Sequence, residues 1–160
     1  MYKVRQWSVS HSRGLETLYR LFNQLLYLMH PLLNKIGYER LEKPVAIVEK
    51  AVKSIMFDCQ MCGQCALSST GMSCPMNCPK SIRNGPCGGV RLDGNCEVKP
   101  DMPCVWVEAW RGTQKMQQSN AIRQVQFPVN YSFINSSSWL RVVREQAAAS
   151  ESNFENQRVG

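Results

Sequence analysis

Apolar residues recur at helical spacing in two stretches before the middle of the chain. Leu15, Leu18, Tyr19, Phe22, Leu25, Leu26 and Met29 fall on one side of a helix over 15–29. Glu16, Arg20, Asn23, Gln24 and Tyr27 take the other side. Pro31 ends or kinks this helix. A second helix is predicted from Pro44, a favoured first helical residue. Its apolar positions are Val45, Val48, Val52 and Ile55, with Ile47 and Ala51 beside them. It delivers the chain to Asp58 and Cys59. Core packing is the main expectation for both stripes. The first helix is apolar around more than half its circumference, so Tyr19, Phe22 and Leu26 are also expected to face a partner.

The pattern changes at Cys59. Val90-Arg91-Leu92 and Cys96-Glu97-Val98 flank Asp93-Gly94-Asn95, a short hairpin signal. Residues 105–111 read as a short helix closing over the segment before it. Residues 112–136 are mixed and polar, include Pro128, and are expected to run extended. Ser137 or Ser138 is placed to cap a last helix from Trp139 to about Ala149. The polar tail 150–160 is expected to be disordered. The chain thus divides into a helical N-terminal segment over residues 1–58, a cysteine-rich core over 59–111, an extended segment with a helix over 112–149, and the tail. The predicted class is small α+β: an irregular cysteine-rich metal-binding core with flanking helices and little strand.

Composition sharpens the picture of the core. All eight cysteines lie between Cys59 and Cys104, with six of the ten glycines and five of the eight prolines. So many turn-formers cannot build long helices or a broad sheet, so the thiols must supply the missing core. The net charge of +7 is spread along the chain, with no basic block. Nucleic-acid binding is therefore disfavoured, and the excess fits bound anionic material or an acidic partner. The N-terminus has no apolar export run, and 15–33 is too polar and too broken by Pro31 to span a membrane. A reducing, cytoplasmic location is expected, which makes structural disulfides improbable.

Cys59, Cys62 and Cys65 form C-x2-C-x2-C, a tight loop that grips three corners of a cubane cluster while a fourth thiolate arrives from elsewhere. Zinc more naturally takes two C-x2-C knuckles. Cys74, Cys78, Cys87, Cys96 and Cys104 contain no such pair, and Pro75 and Pro79 each follow a cysteine. Eight thiolates satisfy two four-ligand sites. Two 4Fe-4S clusters are the leading reading, and one 4Fe-4S cluster plus one zinc is the alternative. Which distal cysteine completes each site stays open. Gly63, Gly71, Gly85, Gly88 and Gly89 free backbone N–H groups to approach sulfur, and Lys80, Arg83 and Arg91 can offset cluster charge. The first cluster is expected to be the inner one, shielded by Val105, Trp106 and Trp110. His11 and His30 read as ordinary helix-flank residues. No dinucleotide or phosphate loop is present.

These residues carry a resemblance. Cys62-Gly63-Gln64-Cys65, Cys74-Pro75-Met76-Asn77-Cys78-Pro79-Lys80, Arg83-Asn84-Gly85-Pro86-Cys87-Gly88-Gly89-Val90, Cys96-Glu97-Val98 and Pro103-Cys104-Val105-Trp106 are similar to the methylenetetrahydrofolate reductase C-terminal domain family. Ser137-Ser138-Trp139-Leu140 resembles that family's ending, so the likeness covers about 55–142. It implies a small cysteine-rich partner of a TIM-barrel methylenetetrahydrofolate reductase that carries FAD or FMN, the flavin lying in the partner and not in this chain. It implies iron–sulfur or zinc content and a role in passing electrons to that flavin from a further donor protein. The expected function is an electron-transfer subunit, not catalytic alone. The alternative is a zinc-binding subunit that stabilises or completes the reductase active site.

Overall fold

The computed structural model describes residues 2–158, with side chains over 2–150. Four helices come first: α1 (Tyr2–Ser10), α2 (Ser12–Leu28), α3 (His30–Ile36) and α4 (Tyr38–Phe57). The irregular stretch 58–104 follows, holding one 3-10 turn, Pro75–Asn77. After it come α5 (Val105–Thr113), two further 3-10 turns, Ser119–Arg123 and Tyr131–Phe133, and α6 (Ser138–Arg158). The polar tail expected over 150–160 falls in the last turns of α6 and beyond. Residues 159 and 160 lie outside the described residues, as do the side chains from 151 on. No described helix is long and apolar enough to cross a membrane.

The α+β expectation is corrected. Among the described residues every regular element is a helix, and β pairing is limited to two isolated bridges, Val90 with Cys96 and Asn95 with Pro103. The predicted hairpin forms only as one antiparallel bridge, Val90 with Cys96, held by Arg91 N–H to Asn95 O at 2.9 Å and Glu97 N–H to Gly89 O at 3.1 Å. The Asp93 carboxylate accepts from the Asn95 N–H at 3.0 Å and closes the turn locally. Cys96 N–H points the other way and donates to Met102 O, beside the second bridge of Asn95 with Pro103, and no longer ladder forms among the described residues.

α4 begins at Tyr38, not at Pro44, which lies inside the helix. Gly37, at a φ of 95°, separates it from α3. Pro31 falls in the first turn of α3, where its missing N–H costs no bond.

The larger correction concerns which side of α2 and α4 faces in. α2 buries Ser12 and Glu16, while Leu18, Leu21, Leu25 and Leu28 are exposed. α4 buries Ala46, Glu49, Lys53 and Phe57, while Val48, Val52 and Ile55 are exposed. The polar groups go inside because backbone and side-chain partners wait there. The Glu16 carboxylate accepts from the N–H groups of Gln117 and Gln118, just past α5, and Ser12 Oγ donates to Gly112 O at 2.8 Å. Tyr19, Phe22 and Leu26, expected to face a partner, are half-buried. The Phe22 ring meets Trp139 of α6 edge-on, with centroids 4.7 Å apart.

Two contacts tie the helices to the cysteine segment. Ser8 Oγ of α1 donates to Met56 O at 2.8 Å, satisfying a carbonyl in the last turn of α4. α4 then ends on Asp58 in the left-handed region and hands the chain straight to Cys59. Gly71, with a φ of 61°, lies against the C-terminal turn of α5, where a Cβ would overlap Ala109 O. We expect Gly71→Ala to cost about 1–3 kcal/mol by overpacking and backbone strain. In a chain of this size that lowers Tm by about 2–12 °C, read by thermal denaturation of the purified protein. An unchanged Tm would mean the loop does not rest on α5.

Candidate metal centre

The segment 59–74 turns back on itself. Met61 (φ 48°) and Gly63 (φ 69°) take left-handed conformations between Cys59 and Cys65, which folds the loop tightly. A strap from the far end of the chain pins it. Asn135 N–H donates to Met61 O at 2.9 Å and Asn130 N–H to Gln64 Oε1 at 2.8 Å. A Cβ on Gly63 would overlap Phe133 O, so only glycine lets the strap lie this close.

All eight cysteines are free thiols. Four of them share one neighbourhood, and the other four are distributed around it. Cys59, Cys62, Cys65 and Cys74 feel one another electrostatically. Burial, followed by the charges of Cys59, Cys65 and Cys62, pushes the Cys74 thiol from its ordinary 9.0 up to about 12. Cys59 is raised by burial and then by Cys65 and Cys62, against a hydrogen bond from the Met61 N–H at 3.4 Å. Cys74 and Cys65 also pack on Phe57, Leu67, Met72 and Met116. Cys78 packs against the buried cluster of Cys96, Met102 and Val105, and Cys104 against Trp106 and Ala109. Cys87 lies beside Lys80 and accepts from the Gly89 N–H at 3.4 Å.

Among the described residues, no three Cys, His, Asp or Glu side chains form a group that could hold a single metal ion. A tetrahedral zinc site draws its thiolates to about 2.3 Å from one ion, whereas a cubane carries one thiolate on each of four irons and so spreads them wider. Metal binding at Cys74 would have to displace a strongly held proton, so loading would release protons.

The predicted auxiliary residues differ in what they touch. The buried Arg83 donates to Gln64 O at 2.6 Å and Phe127 O at 2.7 Å, with Met76 Sδ at 3.6 Å and Cys62 Sγ at 3.8 Å. No carboxylate pairs with it among the described residues, so its charge is directed at sulfur and carbonyl oxygen. Lys80 is exposed and paired with Glu97, whose hydrogen bond raises it. A Cβ on Gly89 would overlap the Glu97 carboxylate, whereas Gly88 stands in open space. Trp106 donates to Ile82 O at 3.3 Å, and its ring covers Gly85. Val105 packs with Cys96, and Trp106 with Cys104. Trp110, 53 % exposed, lines a cavity with Cys87. Val105 also borders the first group, since its carbonyl accepts from Ser73 Oγ, next to Cys74, at 3.0 Å.

Sequence reasoning missed Lys53 and Tyr19. The Tyr19 hydroxyl is held well above its ordinary 10.0 by burial and then by the Cys65 charge and a hydrogen bond to it. Burial alone would lower Lys53. The negative charges of Cys65, Tyr19 and Glu49 outweigh it and hold the ammonium above its ordinary 10.5. Nothing local marks these residues: Glu49 and Lys53 read as an exposed i,i+4 pair, and Tyr19 as one more apolar position.

The grouping predicts how metal is lost. Cys62→Ser and Cys74→Ser should each deplete one group, and the double variant should lose no more than either alone. Cys62→Ser with Cys87→Ser should strip both groups. Metal analysis of the four proteins checks this. Further loss in the Cys62/Cys74 double variant would break the partition.

A family model described as methylene-tetrahydrofolate reductase C terminal matches residues 38–132, which include all eight cysteines. No curated protein and no solved structure matches the chain.

Proposed function

The chain belongs to the methylene-tetrahydrofolate reductase C-terminal family, and from that premise we propose that it is an iron–sulfur electron-transfer subunit of such a reductase. In this reading Cys59, Cys62, Cys65 and Cys74 hold one 4Fe-4S cluster and Cys78, Cys87, Cys96 and Cys104 hold the second. When bound, such clusters would take up and pass on single electrons. The partner would be a TIM-barrel reductase chain carrying FAD or FMN, and a further protein would supply the electrons. The chain itself does no folate chemistry, and its working compartment would be the cytoplasm.

The observation that carries the reading is one group of four thiols, Cys59, Cys62, Cys65 and Cys74, flanked by two buried cations, Lys53 and Arg83. A cluster with four thiolate ligands is anionic, and buried cations beside it lower the cost of that charge. Arg83 fixes the loop as well, since its two bonds join Gln64 O to Phe127 O across the strap. Cys59–Cys65 is held from three sides, by α4, by the strap and by Arg83. The second group depends on turns around 78–104 and on the face of α5.

The test is metal analysis and spectroscopy on protein purified without oxygen. We expect about eight irons per chain and a signal bleached by reduction. After mixing with the oxidised reductase chain, the reduced protein should return to its oxidised spectrum as the flavin absorbance falls. Stoichiometric zinc without iron would replace this reading with that of a structural subunit.

A further inference from the structure

Between the strap and the cysteine segment is a cavity of about 580 Å³. Val125, Pro128 and Val129 line it from the strap, and Cys62, Met76 and Arg83 from the other side. Cys62 is a buried thiol of the first group. The strap is fixed at both ends. Before it, the turn Ser119–Arg123 packs through Ile122 on Trp106 and Ala109 of α5. After it, Asn135 N–H donates to Met61 O, and the Arg141 guanidinium lies 4.8 Å from the Phe133 ring centroid. Between these ends, the hydrogen bonds that hold 124–131 to the cysteine segment come from three side chains. Asn84 Nδ2 donates to Gln126 O at 2.9 Å, and Asn84 Oδ1 accepts from the Gln126 N–H at 2.7 Å. Arg83 Nε donates to Phe127 O at 2.7 Å, and Gln64 Oε1 accepts from the Asn130 N–H at 2.8 Å.

The hold on the middle of the strap is weak. The Asn84 and Gln64 bonds are exposed, so water can replace them at little net cost. Val125 is 78 % exposed, and Phe127 and Tyr131 are each 80 % exposed. Lifting the segment therefore brings little of their apolar surface into water. A stretch with fixed ends, few buried side chains and exposed hydrogen bonds opens locally, well before the domain unfolds. The surface beneath it is different. Arg83 is buried and also donates to Gln64 O, with Cys62 Sγ at 3.8 Å, so it stays with the cysteine loop when Phe127 leaves. On the far side of that loop, Cys65 and Cys74 pack on Phe57, Leu67, Met72 and Met116, which bars entry from behind. We propose that 124–131 is a lid over the first thiol group. It opens by letting go of Asn84, Gln64 and Arg83, and the open form is the path by which Cys62 takes up and gives up its metal. This rests on Cys62 being a metal ligand. It holds for iron and zinc alike and does not require electron transfer.

The experiment uses the full chain purified without oxygen, as wild type, Asn84→Ala and Gln64→Ala. Asn84 is exposed, so its variant should fold with an unchanged Tm. Amide hydrogen exchange read by mass spectrometry should show 125–131 opening together, ahead of the first turns of α6. Each variant should speed that exchange about fivefold. Release of the bound metal to pyridylazoresorcinol, a chelator of both iron and zinc, should speed by the same factor. So should iodoacetamide labelling of Cys62. Labelling of Cys104, packed on Trp106 and Ala109, should keep its wild-type rate. Exchange over 125–131 no faster than in α6 overturns the lid. So does faster exchange in either variant with metal release and Cys62 labelling unchanged, or Cys104 labelled faster in step with Cys62. A wild type that holds no metal would strike the ligand reading instead. Cys62 labelling would then decide the lid: a rate that rises with strap exchange keeps it, and one that does not overturns it.

Discussion

A buried ammonium must find negative charge or return to water, and in this chain Lys53 does the former at the point where three elements of the fold meet. Its Nζ is 2.6 Å from Glu49 Oε1 and 2.8 Å from Ser138 Oγ, and it lies 5.2 Å from the Trp139 ring centroid and 5.7 Å from that of Tyr19. Its charge also reaches Cys65. Glu49 in turn accepts from Ser137 Oγ at 2.7 Å and from the Trp139 N–H at 3.3 Å, so one carboxylate serves the ammonium and the start of α6 together. Ser137 completes the end by accepting from the Leu140 N–H at 3.3 Å. α2, α4, α6 and the first cysteine loop are thereby held through one pair of charges.

The consequence for the helices is that their polar sides turn inward and their aliphatic sides outward. Isolated, this would be a poor arrangement, since burying a pair of ions gains little over burying leucine. It becomes sensible when the interior contains thiolates, which favour cations near them. The same logic places Arg83 beside Cys62 without a carboxylate. Both buried cations lie at the first thiol group, while the second relies on Lys80 at the surface.

Helices α2 and α5, the cap at Ser137 and the arrival of the chain at Cys59 were legible, because each depends on local periodicity or on a residue with one structural role. The inward direction of α2 and α4 was not. A helical stripe shows that two sides differ and says nothing of which side is covered by the rest of the chain, and the partners of Glu16 are about a hundred residues away. Val90–Val98 read as a hairpin because the turn signal was sound, and its arms do meet at Val90 and Cys96, but the pairing stops at that one bridge. The eight ligand candidates stood out by type and spacing. That Cys74 comes up against Cys59, Cys62 and Cys65 required the return of the chain over 66–74, which no spacing rule contains.

The central claim is that the thiols work as two separate fours, each holding iron. Anomalous diffraction from crystals grown without oxygen, recorded at the iron and zinc edges, addresses it without reference to activity. The account predicts two iron peaks, one enclosed by Cys59, Cys62, Cys65 and Cys74 beside Lys53 and Arg83, the other by Cys78, Cys87, Cys96 and Cys104. A zinc signal alone, a single iron peak, or ligands drawn from both groups at one peak would contradict it.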